Sequence, residues 1–185
     1  MSPPSSPAAL RRSVRLALLT AVAVSLGYTL MTLPIELVTF TVVLSGLLCG
    51  PRGGLAVGLM TQFIYGGFNP LGSSFAMPWL FAAQLLSMGL AGLAGGLASP
   101  LLLRPGRLAA LVSSALGLVL TLVSQLLMSL SFALVSDEPG VFWTWLLTGS
   151  VFTGGYLVWN AGVFSLLPAV ARRLAPAFRD GGRPS

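Results

Sequence analysis

Long apolar runs alternate with short polar breaks along the whole chain. A transmembrane helix needs about 20 mostly apolar residues to cross a bilayer, and three of the six runs exceed that length clearly. The breaks contain proline and glycine, which end helices, as in GPRGG at 50–54 and RPGR at 104–107. The pattern predicts six transmembrane helices, over residues 13–33, 35–50, 53–67, 78–103, 108–135 and 141–171.

The composition agrees with a membrane protein. Hydrophobic residues make up 55% of the chain and charged residues 8%, whereas soluble domains are about 25% charged. The chain has no histidine and one cysteine, so it lacks the commonest general base and any internal disulfide. No Walker motif is present either. We therefore expect no catalytic site, no metal, no cofactor and no ATP hydrolysis by this chain.

All ten basic residues are arginines, and their positions indicate the orientation in the membrane. With six spans, every arginine falls on one side, and positive residues are retained in the cytoplasm. This placement explains the net charge of +6 without a nucleic acid partner. The arginines are Arg11, Arg12, Arg15, Arg52, Arg104, Arg107, Arg172, Arg173, Arg179 and Arg183.

These patterns predict an all-α integral membrane protein of the cell membrane. We expect a six-transmembrane-helix bundle over residues 11–175, with both termini cytoplasmic. Residues 1–10 and 176–185 are predicted to be disordered tails.

The N-terminus also allows a second interpretation. An arginine pair, the apolar stretch LALLTAVAVSLG and small residues at Ala21 and Ala23 resemble a cleavable secretory signal. Cleavage would leave five spans. However, the apolar run continues to Leu33, and a first helix preserves the arginine pattern, so we expect this helix to be retained.

Small residues recur every four positions in the third and fourth runs, as in Gly54 and Gly58, Ala91 and Gly95, and Gly92 and Gly96. Helices in lipid associate through close packing of such small-residue faces. The spacing therefore predicts a tight crossing inside the bundle.

The fifth run has one polar, adaptable face, and the sixth has a face of aromatic residues with glycine between them and asparagine at its end. Such faces either join helices by hydrogen bonds or enclose a cavity. The members recur every three or four residues: Ser114, Gly117, Thr121, Ser124, Gln125, Met128 and Ser131, then Trp145, Gly149, Phe152, Tyr156 and Asn160.

Other polar and aromatic residues lie near the predicted outer surface. Gln84 lies about 9 Å below the start of the fourth helix, at 1.5 Å per residue. Glu36 either marks a functional site at membrane depth or extends to the interface. Trp79 and Trp143 fit interfacial anchors or ligand contacts. Our candidate substrate-binding residues are Glu36, Asn69, Trp79, Gln84, Gln125, Trp143, Tyr156 and Asn160.

The outer segment FNPLGSSFAMPW, residues 68–79, is rich in turn residues. Pro70 and Gly72 allow a sharp fold back, and the aromatic residues offer apolar surface to a bound molecule. The segment is predicted to be a lid over the cavity, with a plain connector as the alternative.

The chain resembles the substrate-binding S component of an energy-coupling factor (ECF) vitamin transporter. The resemblance rests on the AxxxA pattern Ala17-Leu-Leu-Thr-Ala21, the segment 47–96, the six-span layout and the ending WNAGVFSLLPAVARRL at 159–174. It implies capture of a vitamin or vitamin precursor from outside. It also implies docking on a transmembrane coupling subunit driven by two ATPase subunits, with Ala17 and Ala21 on the docking face. By the same resemblance, the loops at about 31–36 and 68–78 gate the site.

A rival interpretation is a membrane scaffold. Rod-shape scaffold proteins of the MreD family are similarly short and have a Gly-rich central region, and they bind protein partners. That family usually has an acid after its third-motif glycines, where this chain has Thr61 and Gln62. This departure favours the transporter.

Overall fold

Within the described residues, the predicted apolar runs are largely helical, and the chain turns at Gly50-Pro51, at 68–77 and at 103–106. The structure is a computed structural model that describes residues 7–31, 37–136, 138 and 140–178. The helices are α1 (Pro7–Leu30), α2 (Val38–Gly67), α3 (Pro78–Leu102), α4 (Arg107–Ala133) and α5 (Val141–Phe178), with a short 3₁₀ turn at Ser74–Ala76. The described residues contain no strand, which confirms the all-α prediction. Helix α1 includes residues 7–10 and α5 includes 176–178, both of which the sequence analysis assigned to tails.

Helix α2 is a hairpin of two helical arms. Gly50 has φ 79° and ψ 173°, a left-handed conformation that glycine adopts without a steric penalty, and Pro51 follows it. A Cβ added to Gly54 would lie 2.6 Å from the Cα of Gly46. Residues eight positions apart on a continuous helix are separated by about 12 Å, so the chain must reverse. The arms 38–49 and 51–67 therefore correspond to the second and third predicted spans.

With the two arms of α2 counted separately, the described residues form six α-helical segments. By length and composition, five helices in the described part of the chain can cross a membrane, with the whole of α2 taken as one. These findings agree with the predicted six-helix bundle. At 1.5 Å per residue the α2 arms are about 18 and 26 Å long, which is short for a span. The bundle can accommodate short arms because they pack mainly against protein: α2 has more buried residues than any other helix.

Helices α2 and α3 cross with their backbones in direct contact. A Cβ on Gly54 would overlap the carbonyl oxygen of Gly92, and a Cβ on Gly92 would overlap that of Gly54. Gly95 lies in the same way against the backbone of Val43. Only glycine permits this approach, and the predicted small-residue crossing is confirmed.

One end of the bundle, which we call the arginine end, holds both described chain ends. The Nη1 of Arg15, on α1, donates a hydrogen bond to the carbonyl oxygen of Phe178 at 2.7 Å. The Nη1 of Arg172 donates to the carbonyl oxygen of Arg104 at 2.9 Å, which joins α5 to the α3–α4 connection. A surface hollow lined by Arg12, Arg15 and Cys49 brings the hairpin turn to the same end.

Candidate functional site

The half of the bundle away from the arginine end contains a cavity of about 360 Å³. This volume lies in the range of small-molecule sites, about 300–1,000 Å³. Each of the five helices contributes to its wall. The lining residues are Gly27, Leu30, Met31, Val38, Thr39, Gln62, Tyr65, Gln84, Ser87, Met88, Thr121, Ser124, Gln125, Met128, Gly149, Thr153 and Tyr156.

Two glycines in the wall leave room for the side chains of residues on neighbouring helices. A Cβ on Gly27 would lie 2.8 Å from the ring of Tyr65, and a Cβ on Gly149 would overlap the amide of Gln125. The absence of a side chain at each glycine therefore lets a tyrosine ring and an amide sit close to α1 and α5.

A pair of glutamines joins α2 to α3 at the cavity. The Nε2 of Gln62 donates to the Oε1 of Gln84 at 3.0 Å. Gln62 is 5% exposed and Gln84 is half-buried. A primary amide has two N–H donors and an oxygen with two lone pairs, so each side chain keeps capacity for a further hydrogen bond. The pair can therefore present both donors and acceptors to a ligand.

A second polar group joins α4 to α5. The Oγ1 of Thr153 donates to the Oε1 of Gln125 at 2.9 Å, and the Nε2 of Gln125 donates to the carbonyl oxygen of Trp145 at 3.4 Å. The hydroxyls of Ser87 and Ser124 are hydrogen-bonded to each other and connect α3 with α4. The predicted polar faces thus join helices and line the cavity at the same time.

Asn160 lies next to the cavity rather than in its wall. The side chain is 1% exposed, and its Nδ2 donates to the Oγ1 of Thr121 at 2.7 Å. Thr121 lines the cavity and donates in turn to the carbonyl oxygen of Gly117 at 2.9 Å. Asn160 is therefore connected to the cavity wall through its hydrogen bond to Thr121.

Three predicted residues lie away from the cavity. The Oδ1 of Asn69 accepts a hydrogen bond from the backbone N–H of Leu71 at 2.9 Å and stabilises a local turn. Trp79 and Trp143 are 56% and 63% exposed, so their side chains lie on the surface of the bundle and not in its interior. Glu36 lies outside the described residues. Of the eight candidates, Gln84, Gln125 and Tyr156 line the cavity together.

The segment 68–79 packs against the end of α2. Its Phe68 and Phe75 form a cluster with Phe63 and Phe81, in which the ring centroids of contacting pairs are 4.8–6.4 Å apart. The Ser73 hydroxyl also donates to the carbonyl oxygen of Gly67 at 2.5 Å. No residue of the segment is part of the cavity wall described above. The lid stays a prediction.

Several wall residues on α2 and α3 were not among the predicted candidates. Gln62 and Tyr65 lie three positions apart, as do Gln84 and Ser87, so each pair shares a helix face. That spacing is the signal that could have found them. In the sequence, Gln62 was noted only as a departure from the scaffold family.

Ala17 and Ala21 are exposed and lie on the face of α1 that points away from the rest of the bundle. They are surrounded by exposed apolar side chains, including Val14 at 57%, Leu18 at 58% and Val22 at 42% exposure. Both alanines are therefore accessible to a partner helix.

The fold and cavity define a small helical membrane protein with a solute-sized polar site inside the bundle. A model of the family described as "ECF transporter, substrate-specific component" matches residues 11–171. The chain therefore belongs to the substrate-specific components of ECF transporters. It is a multi-pass transport subunit whose family binds a small-molecule substrate and couples to an ECF module. A search of curated proteins and a search of solved structures each found no match.

Proposed function

We propose that this chain captures a vitamin or vitamin precursor in the cavity and docks on a transmembrane coupling subunit driven by two ATPase subunits. The observation that carries the proposal is the polar cavity, to which all five helices contribute, in a member of this family. A cavity of about 360 Å³ suits a small molecule with several hydrogen-bonding groups.

The proposed orientation places the arginine end in the cytoplasm. Arginines near helix ends favour the cytoplasmic side, and the arginine contacts described above lie at one end of the bundle. The cavity lies in the other half, so the substrate would enter from outside the cell.

Within the site, we propose that Gln84, Gln125 and Tyr156 contact the substrate and that Asn160 positions Thr121. The placement of the first three side chains in the cavity wall, and the hydrogen bond from Asn160 to Thr121, support this proposal. The proposal does not extend to Asn69, Trp79 and Trp143, which lie elsewhere, or to Glu36, which lies outside the described residues.

The scaffold alternative explains the cavity less well. A scaffold that binds protein partners needs packed helices and exposed surfaces, and it does not need a cavity of about 360 Å³ lined by amides that keep hydrogen-bonding capacity. The amides of Gln62, Gln84 and Gln125 around one cavity therefore favour transport.

The first test is a thermal-shift panel of vitamins and their precursors on the purified protein in detergent. A ligand that binds only the native state, at 100 times its dissociation constant, adds about 2.7 kcal/mol to the free energy of unfolding. We expect one member of the panel to raise the melting temperature in a concentration-dependent way. If folded protein shows no shift with any of them, the proposal fails.

A second test replaces the amide of Gln84. We expect Gln84→Leu to weaken binding of the panel ligand by about 10- to 100-fold, because a hydrogen bond in a buried site is lost and the amide of Gln62 loses its partner. Isothermal titration calorimetry measures the change. The control is Leu86→Ala on the same helix, at a side chain that is 51% exposed. An unchanged affinity in Gln84→Leu, with the control also unchanged, would remove Gln84 from the site.

A further inference from the structure

The described residues of the cavity wall include polar side chains but no acid and no arginine. Among the described residues that form it, the polar groups are amides and hydroxyls, and the others are aliphatic side chains, glycines and thioethers. Gln62 and Gln84 face the cavity between α2 and α3, and Gln125 and Thr153 face it between α4 and α5. The wall therefore offers neutral hydrogen-bond donors and acceptors at two separate places.

The described basic residues lie far from this wall. Arg15 precedes Gly27 on α1 by twelve residues, and Arg107 precedes Thr121 on α4 by fourteen, which correspond to about 18 and 21 Å along the helices. Arg15 and Arg172 are also hydrogen-bonded at the arginine end. Residues 32–36, outside the described residues, contain one ionisable side chain, the acid Glu36. An anion in the cavity would find no cationic partner on the described elements.

We propose that the substrate is uncharged and carries amide-like donors and acceptors on two edges, as in a ureide, a carboxamide or a neutral heterocycle. This inference rests on the proposed transport function. An ion that enters the cavity loses its hydration, and neutral donors replace that hydration only in part when no opposite charge is near. A neutral molecule with the same hydrogen-bonding groups avoids this cost.

The experiment compares molecules that differ in one charged group. The matched pairs are nicotinamide and nicotinate, biotin amide and biotin, pantothenol and pantothenate, and riboflavin and riboflavin 5′-phosphate, with thiamine as a cation. Dissociation constants are measured by calorimetry on the full chain in detergent at pH 7.5. For the molecular skeleton that binds, we expect the neutral member to bind at least about 100-fold more tightly than the anion.

A pH series on the same pair needs no variant. For biotin or pantothenate, whose only charged group is a carboxylate, the affinity should rise as the pH falls toward the pKa of the ligand's carboxyl group, because the neutral form then becomes populated. The affinity for the neutral member should change much less. A pH-independent affinity for the carboxylate would contradict the inference.

A variant tests the same point from the protein side. Gln84→Arg places a cation in the wall and should raise the affinity for the carboxylate, relative to the neutral member, at least about tenfold. If this variant does not fold, the wild-type pairs and the pH series still decide the question.

The outcomes separate the inference from the proposed function. Equal or tighter binding of an anion, or binding of thiamine in preference to every neutral compound, overturns the inference and leaves a substrate-binding protein. Failure of all compounds to bind folded protein counts against the proposed function, and the inference falls with it.

Discussion

Replacing Ala17 and Ala21 together by tryptophan is expected to abolish substrate uptake and to leave substrate binding unchanged. Both alanines are exposed on α1, and the first cavity residue on that helix, Gly27, lies about 9 Å further along it. Small residues let a partner helix approach closely, and two indoles would hold it away. The substitution should therefore block docking without reaching the cavity.

Uptake of the labelled substrate is measured in cells that also express the coupling and ATPase subunits, and binding is measured on the purified variant. The control carries Val151→Trp and Val158→Trp on α5, at side chains that are 77% and 78% exposed. This control should retain uptake. Loss of binding together with uptake would assign the alanine face to internal packing, and full uptake would place docking elsewhere.

The fold could be predicted closely because its signals are local. Apolar runs of helix length and the proline and glycine breaks define the helical segments, and Gly50-Pro51 indicated the reversal inside α2. The arginines indicated that the predicted spans alternate in direction. The contact of Arg15 with Phe178 agrees with that alternation, because it joins the start of the first helix to the end of the last.

The site was predicted in part. Gln125 and Tyr156 lie on regular polar faces, where spacing alone identifies the inward side. Gln62 and Tyr65 were harder to find, because the second arm of α2 has few polar residues and these are mixed with apolar residues and glycines. Whether Trp79 and Trp143 face the cavity depends on the rotation of each helix end relative to the bundle. The spacing of residues along the sequence does not specify this rotation, and both side chains are exposed.

The glycine crossing should be the most sensitive point for folding. Gly92→Ala is expected to lower the free energy of unfolding by about 3 kcal/mol, at the upper end of the typical cost of overpacking. The added Cβ would overlap the Gly54 carbonyl and lie 3.1 Å from its Cα. Backbone atoms cannot rotate away as a side chain does, so α2 and α3 must separate. Native proteins are stable by only about 5–15 kcal/mol, so the yield of folded protein should fall as well.

The matched control is Gly154→Ala on α5, where an added Cβ meets no atom within 4 Å. This change should be neutral or slightly stabilising, because alanine has a higher helix propensity than glycine. Unfolding in detergent is followed by circular dichroism for both variants. Equal melting temperatures would show that the crossing can relax at no cost. Because the Gln62–Gln84 pair joins the same two helices, folded Gly92→Ala protein should also bind substrate more weakly.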